Sequence, residues 1–412
     1  MPTDSAISLS RTIPIFSEKP RSTAANGENP LEFRVSPPLA LYVHVPWCVQ
    51  KCPYCDFNSH EAPGQIPERQ YVDALIADLQ SALPLIWGRP VQTVFFGGGT
   101  PSLLSPAAID ELITAFRALA MLAPDAEITL EANHGTVEAE KFAGFRAAGV
   151  NRLSLGIQSF NDEHLKALGR IHDAGEARRA AQLAGEHFPA FNLDLMYGLP
   201  GQTLTQALSD VDTALSFKPS HLSCYQLTLE PNTRFAAFPP ELPEGDTCAD
   251  MQDAIEARLA AAGFTNYETS AFAQPGRQCR HNLNYWYFGD YLGIGAGAHS
   301  KLTLHDRVLR QMRWKHPKAY LENVASGNPL QESNEVAATD LPFEFMMNAL
   351  RLSDGFHPSL FEARTAQALS LILPKLYAAK SEGLLDIGSE KIAPTPKGRR
   401  FLNVLLERLL ES

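Results

Sequence analysis

Three cysteines, Cys48, Cys52 and Cys55, fall within eight residues of the segment HVPWCVQKCPYCDFNSH, in a chain with only six cysteines in all. Thiols gathered this way, outside any disulfide framework, usually bind metal or do catalysis. A structural zinc site wants four ligands, commonly from paired motifs. Cys224, Cys248 and Cys279 are isolated, and Cys224 reads as a buried apolar residue on a strand. A thioredoxin-like pair could use Cys52-Pro53-Tyr54-Cys55, but that leaves Cys48 unexplained. Three thiolates holding a [4Fe–4S] cluster, with one iron lacking a protein ligand, fit best. S-adenosylmethionine (SAM) can chelate such an iron through its amino and carboxylate groups, and a reduced cluster could pass an electron to its sulfonium. The run GGGTP (97–101) suits a partner loop, because glycines let backbone N–H and C=O groups approach a ligand closely.

The elements that must position these residues alternate along the chain. LALYVHV (39–45) suits a buried strand, and PERQYVDALIADLQ (67–80) a helix with Tyr71, Leu75, Ile76 and Leu79 on one face. VQTVFF (91–96) is followed by SPAAIDELITAF (105–116), and EITLEAN (127–133) by VEAEKFAGFRAAG (137–149). NRLSLGIQ (151–158) precedes GEARRAAQLAGEH (175–187). FNLDLMYG (191–198) and HLSCYQLTL (221–229) precede helices near 203–216 and 247–262. Six βα units imply a parallel sheet with crossover helices, and no seventh or eighth unit of this kind follows. The expected fold is α/β, a partial open (βα)6 barrel.

In such barrels ligands collect at the carboxyl ends of the strands. The cysteine loop follows strand one and GGGTP follows strand two; Glu131 ends strand three and Gln158 strand four. Asp194 and Tyr197 lie on strand five, and Gln226 on strand six. One polar strand end is usually just solvated, but a succession of them at one rim defines a site. Past about residue 275 the alternation fails. The glycines of YLGIGAGAHS (291–300) suggest close backbone approach near the site and argue against ordinary core, with His299 a candidate site residue. The expected divisions are a polar flexible tail (1–38), the barrel (39–275), a connecting region (276–337) and a smaller, mostly helical, winged-helix-like domain (338–412).

Composition narrows the class. A net charge of −11 gives no support for a nucleic-acid-binding surface. No stretch approaches the roughly 18 apolar residues of a membrane span, and residues 1–38 lack the apolar core of a secretory signal. Clustered thiols without an export signal point to the reducing cytoplasm. Peripheral membrane association and oligomeric state stay open.

Four segments together, LYVHVPWCVQKCPYCDFNSH, FFGGGTPSLL, RLSLGIQSFN and LDLMYGLPGQT, resemble the radical SAM proteins of the oxygen-independent coproporphyrinogen III oxidase family. The resemblance runs from about residue 39 to the C-terminus. It implies that Cys48, Cys52 and Cys55 hold the [4Fe–4S] cluster and that Tyr54 packs beside it. It implies a SAM site made of Tyr42, Gly98, Gly99, Thr100, Glu131, Gln158, Arg170 and Asp194. Arg170 could then pair bidentately with a SAM carboxylate.

Two features separate branches of that family. The oxidase itself continues its motif to a fourth cysteine, where this chain has Phe57. HNLNYW (281–286) also contains His-Asn-x-x-Tyr at His281, Asn282 and Tyr285. Both features resemble the HemW haem-chaperone branch. That implies a protein that binds haem and delivers it to haem-dependent acceptors, including respiratory enzymes, rather than an active enzyme of porphyrin biosynthesis. The alternative is SAM-dependent oxidative decarboxylation of coproporphyrinogen III; the acidic balance counts against an RNA modifier. Imidazole and phenolate both ligate haem iron. Trp286 and Tyr287 offer flat surface, and Arg280 could meet a propionate. Without the resemblance, an aromatic segment with one histidine is more often packing.

Overall fold

LALYVHV forms β1 (Leu39–Val45), buried along almost its whole length, as an apolar strand covered on both faces must be. The structure, a computed structural model, describes residues 31–62, 64–133, 135 and 140–410. Beside β1 lie in order β2 (Pro90–Gly98), β3 (Met121–Ala132), β4 (Arg152–Gln158), β5 (Phe191–Tyr197) and β6 (His221–Gln226), all parallel. The crossovers are α1 (Glu68–Ile86), α2 (Pro106–Leu119), α3 (Phe142–Ala148), α4 (Asp162–Ala167), α5 (Ala174–His187) and α6 (Leu204–Ser216), with α7 (Gly245–Ala261) after β6. Their starts follow local chemistry. Ser105 Oγ accepts from the Ala108 amide at 3.1 Å, and Asp173/Glu176 and Thr203/Gln206 form capping boxes. Helix α1 outruns the expected 67–80, continuing through Pro84 in its last turn.

The sheet does not close. Past β6 it continues antiparallel through β8 (Ala271–Ala273) to the two-residue β7 (Thr265–Asn266). Past β1 come β9 (Asp290–Ile294), parallel to β1, then antiparallel β10 (His299–Thr303), β11 (Val308–Arg313) and β12 (Leu330–Glu335). The outermost strand, LQESNE, is solvent-exposed at all but its first residue. This flank corrects the reading of YLGIGAGAHS. Its first half is a core strand, with Leu292 and Ile294 fully buried. Its second half does approach the cysteine loop closely: a Cβ on Gly295 would collide with the His44 carbonyl, and one on Gly297 with the Asn58 amide.

A buried charge holds that turn. Asp78 of α1, wholly buried, accepts from the Gly295 amide (3.1 Å), the Tyr320 hydroxyl (3.0 Å) and Arg313 Nε (3.2 Å). Arg313 is equally buried and also donates to Ser300 Oγ at 2.8 Å.

A second hydrophobic core is built mainly from α9 (Leu341–Ala349), α10 (Pro358–Thr365), α11 (Leu373–Ser381), α12 (Leu402–Leu410) and the hairpin β13 (Leu385–Ile387)–β14 (Ile392–Pro394). Phe345 sits edge-on to Phe288, Phe356 and Phe361 at its centre. Residues 31–38, read from sequence as the end of a flexible tail, are built into the fold instead. Phe33 is buried in this second core, its amide donates to the His305 carbonyl, and the Pro38 carbonyl accepts from Asp290. The rest of that stretch, residues 1–30, lies outside the described residues. No helix among the described residues is long and apolar enough to cross a membrane.

Candidate cofactor site

The loop after β1 is braced on every side. Gly99 N–H donates to the Val45 carbonyl and Thr100 N–H to that of Trp47, both at 2.7 Å, stitching the glycine run to the loop's entry. A Cβ on Gly99 would lie 2.5 Å from the Trp47 oxygen, so only glycine allows this approach. Lys51 Nζ reaches back to the carbonyls of Phe57 (3.2 Å) and Ser59 (3.1 Å). Asn58 donates to the carbonyls of Ala296 (3.0 Å) and Lys315 (2.9 Å), tying the loop to the β9–β10 turn. His44 Nε2 donates to the Asn58 carbonyl at 2.9 Å, which leaves Nδ1 to accept from the Tyr42 hydroxyl at 3.1 Å. Burial lowers His44 to about 4, so this imidazole stays neutral.

The loop encloses a cavity of about 160 Å³ at the carboxyl ends of the strands. Cys48, Cys52, Cys55, Tyr54, Gly98, Gly99, Thr100, Glu131, Gln158, Arg170 and Asp194 all line it. Gln158 ends β4 with φ 69°, a left-handed conformation that side chains rarely adopt, and its Oε1 accepts from the Tyr225 hydroxyl at 2.7 Å. Arg170 donates to the Gly156 carbonyl (2.7 Å) and Asn133 Oδ1 (3.2 Å) and lies 3.4 Å from the Cys52 sulfur. Asn133 in turn donates to Thr100 Oγ1 at 2.9 Å. Tyr42 does not line this cavity; it opens into the one beneath. Tyr197 is packed in the hydrophobic core, Gln226 is exposed on the other side of its strand, and His299 borders neither cavity. Phe57, two residues after the last of the three cysteines, is 61% exposed at the cavity mouth.

The residues fit an iron–sulfur cluster with a small chelating ligand. Three free, half-buried thiols of one loop share a cavity with a glycine cradle. Among the described residues no group of three or more His, Cys, Asp or Glu side chains could hold a single metal ion. The donor set suits a cluster, whose thiolates ligate different irons.

Beneath this cavity lies a second, of about 260 Å³, inside the barrel. Glu131, Ser154 and Asp194 border both. The lower cavity adds Arg152, Asn192, His221 and Ser223 from the beginnings of β4, β5 and β6. These were missed from sequence, although a signal was present. Arg152/Ser154, Asn192/Asp194 and His221/Ser223 are polar pairs two residues apart in otherwise apolar strands, the mark of a polar inner face. Asn192 gathers them, donating to Ser154 Oγ (2.9 Å) and Asp194 Oδ1 (2.7 Å) and accepting from His221 Nδ1 (2.7 Å) and Ser223 Oγ (3.1 Å).

The floor is α8 (Arg280–Trp286), which carries His281, Asn282 and Tyr285. Glu127 of β3 anchors its start, accepting from the Arg280 and His281 amides at 3.2 and 3.1 Å. His281 stacks on Phe95 at 4.9 Å and its Nδ1 meets Thr93 Oγ1 at 2.8 Å, while its buried Nε2 has no partner among the described residues. The motif thus lies at the opposite end of the barrel from the cysteines. Arg280 is engaged by Asp125 (2.8 Å to its carbonyl), and Trp286 lies under Arg351. The outer face of α8 lines a separate open groove of about 940 Å³, with Leu283, Asn284, Tyr287, Arg280 and Arg364 in its walls.

Burial and the nearby Asp194 raise Glu131 to about 8, despite a hydrogen bond from Gly98 N–H at 3.2 Å. A carboxyl raised this way lends stability that is complete below its ordinary range, near pH 4.5, and is lost as pH rises through about 8. In the ligand-free chain, Glu131→Gln should therefore leave urea stability near pH 5 little changed. At pH 8.5 it should stabilise by about 2–4 kcal/mol, at roughly 1.4 kcal/mol per pKa unit. A pH-independent difference between the two proteins would contradict this.

Sequence profiles of the radical SAM superfamily and of the HemN C-terminal domain match residues 42–214 and 336–401. An Escherichia coli (strain K12) protein called "Heme chaperone HemW" is 51% identical over 376 residues, spanning 91% of this chain and 98% of its own. A protein of the same name from Bacillus subtilis (strain 168) is 33% identical, spanning 88% and 97%. Among solved structures, coproporphyrinogen III oxidase (HemN) from Escherichia coli, a radical SAM enzyme, superposes with a TM-score of 0.77 at 27% identity, over 91% of this chain and 90% of that one. With this likeness along nearly the whole length, and a cysteine loop that ends in Phe57, the chain belongs to the HemW branch of the radical SAM coproporphyrinogen III oxidase-like family.

Proposed function

We propose that this chain is a haem chaperone: it binds haem, carries a [4Fe–4S] cluster with SAM on its open iron, and hands haem to acceptor proteins such as respiratory enzymes in the cytoplasm. The observation that carries the reading is helix α8, whose His281 offers a buried, unpartnered Nε2 and whose Tyr285 packs edge-on against that ring at 5.1 Å. The likeness to proteins named haem chaperones supports it. Cys48, Cys52 and Cys55 would hold the cluster, with Gly98, Gly99, Thr100, Glu131, Gln158, Arg170 and Asp194 around SAM. Arg170 would then exchange part of its present hydrogen bonding for the SAM carboxylate. When bound, the reduced cluster supplies an electron to the sulfonium.

Haem cannot reach His281 in this conformation. The cavity of about 260 Å³ falls below the roughly 300–1,000 Å³ that encloses a drug-sized ligand. Haem binding through His281, Asn282 and Tyr285 therefore requires α8 to move from the barrel floor. The likeness to coproporphyrinogen III oxidase favours a second reading, oxidative decarboxylation of coproporphyrinogen III. One experiment separates the two: anaerobic reconstitution of the cluster, then haem titration and coproporphyrinogen III turnover in parallel. The chaperone reading expects stoichiometric haem binding, a haem spectrum lost in His281→Ala, and no turnover. Turnover without stable haem binding would replace it with the oxidase.

A further inference from the structure

The lower barrel cavity contains a guanidinium that the cluster, SAM and iron ligation leave unused. Arg152, at the start of β4, is 5% exposed and its side chain lines the cavity, yet among the described residues that side chain makes neither a hydrogen bond nor an ion pair. A guanidinium left this way is costly, since a buried charge ordinarily finds a partner. Across the same cavity stand His281, 1% exposed with Nε2 unsatisfied, and the side-chain amide of Asn282. Among the described residues no acid pairs directly with the arginine, although Glu127 and Asp194 attract it from farther off. Glu127 is occupied by the start of α8, and Asp194 by Asn192. Glu131 faces the Gly98 amide at the upper cavity, and burial raises it to about 8, which lessens its negative charge near neutral pH.

We propose that this cavity is a carboxylate-binding site, in which Arg152 clamps a carboxylate bidentately and Asn282 and His281 Nε2 hydrogen-bond to it. The planar fork of a buried arginine matches a carboxylate in geometry and charge. A volume of about 260 Å³ suits a short acid or the carboxylate arm of a larger molecule, and Tyr42 and Phe95 supply the apolar wall for its carbon chain. The shared border at Ser154, Glu131 and Asp194 sets such a ligand directly beneath the cysteine cavity. The site does not depend on the haem reading, although a porphyrin propionate is one source of the carboxylate.

The test is calorimetric titration of the full chain, with its cluster reconstituted, using sodium propionate against sodium chloride and propionamide at matched ionic strength. Propionate should bind saturably, and the two controls should not. Arg152→Gln and Asn282→Ala should each weaken propionate about 10- to 100-fold, the scale of lost charge-assisted hydrogen bonds. Arg152→Lys, which keeps the charge but not the fork, guards against a loss of fold and should fall between. Competition between propionate and haem, absent with haem dimethyl ester, identifies the porphyrin arm as the source; saturable propionate binding indifferent to haem identifies a free small acid. Propionate binding that is non-saturable, or equal in wild type and Asn282→Ala, overturns the proposal whatever haem does. Saturable, Arg152-dependent propionate binding by a chain that takes up no haem removes the haem reading alone.

Discussion

Asp78→Ala is expected to destabilise the chain by about 3–5 kcal/mol, read as a shift of the urea midpoint at constant slope. The substitution removes the acceptor for Arg313, Tyr320 and the Gly295 amide at once and strands a fully buried guanidinium. Its consequence reaches the cofactor loop. The turn that Asp78 holds presents the Ala296 carbonyl to Asn58, and Asn58 in turn receives His44. Asp78→Ala should therefore also lower the iron taken up on reconstitution, although Asp78 lies outside the cysteine cavity. A cost below about 1 kcal/mol would show that the network relaxes around the loss.

The second large effect is at the thiols. Cys52→Ser should abolish the iron–sulfur absorbance of the anaerobically reconstituted chain, because only three thiols share the cavity and no neighbouring thiol can replace one. Cys224, Cys248 and Cys279 are buried elsewhere, so Cys224→Ser serves as the control and should leave the absorbance intact. Equal absorbance in Cys52→Ser and wild type would rule out a three-thiolate cluster at this loop.

What could be read from the sequence, and what could not, follows from the range of the interactions. The six βα units were legible because each is local, an apolar run and then an amphipathic helix with its own caps. Every strand core stands where its pattern placed it, with ends shifted by a few residues. The flank beyond β1 was not legible. Leu39 pairs with Asp290 across most of the chain, and nothing local in YLGI distinguishes a seventh parallel strand from a loop. The same held inside the barrel. The upper site could be found from strand ends, but Tyr225 was passed over for its neighbour Gln226, where one residue of register decides which side chain faces in. His281 was visible as a motif, yet its place on the barrel floor depends on Glu127 and Thr93, distant in sequence and on other elements.

The open sheet also constrains how the chain can meet other proteins. Its longer free edge is β12, where Glu332 and Glu335 stand among exposed polar residues, and the opposite edge is a strand of two residues. A partner adding a strand beside β12 would meet Glu332 on one face and Glu335, 3.4 Å from Arg307, on the other, and beside β7 it would find almost no backbone to pair with. Of the two borders only β12 has the length to take an added strand, and it does so against its glutamates.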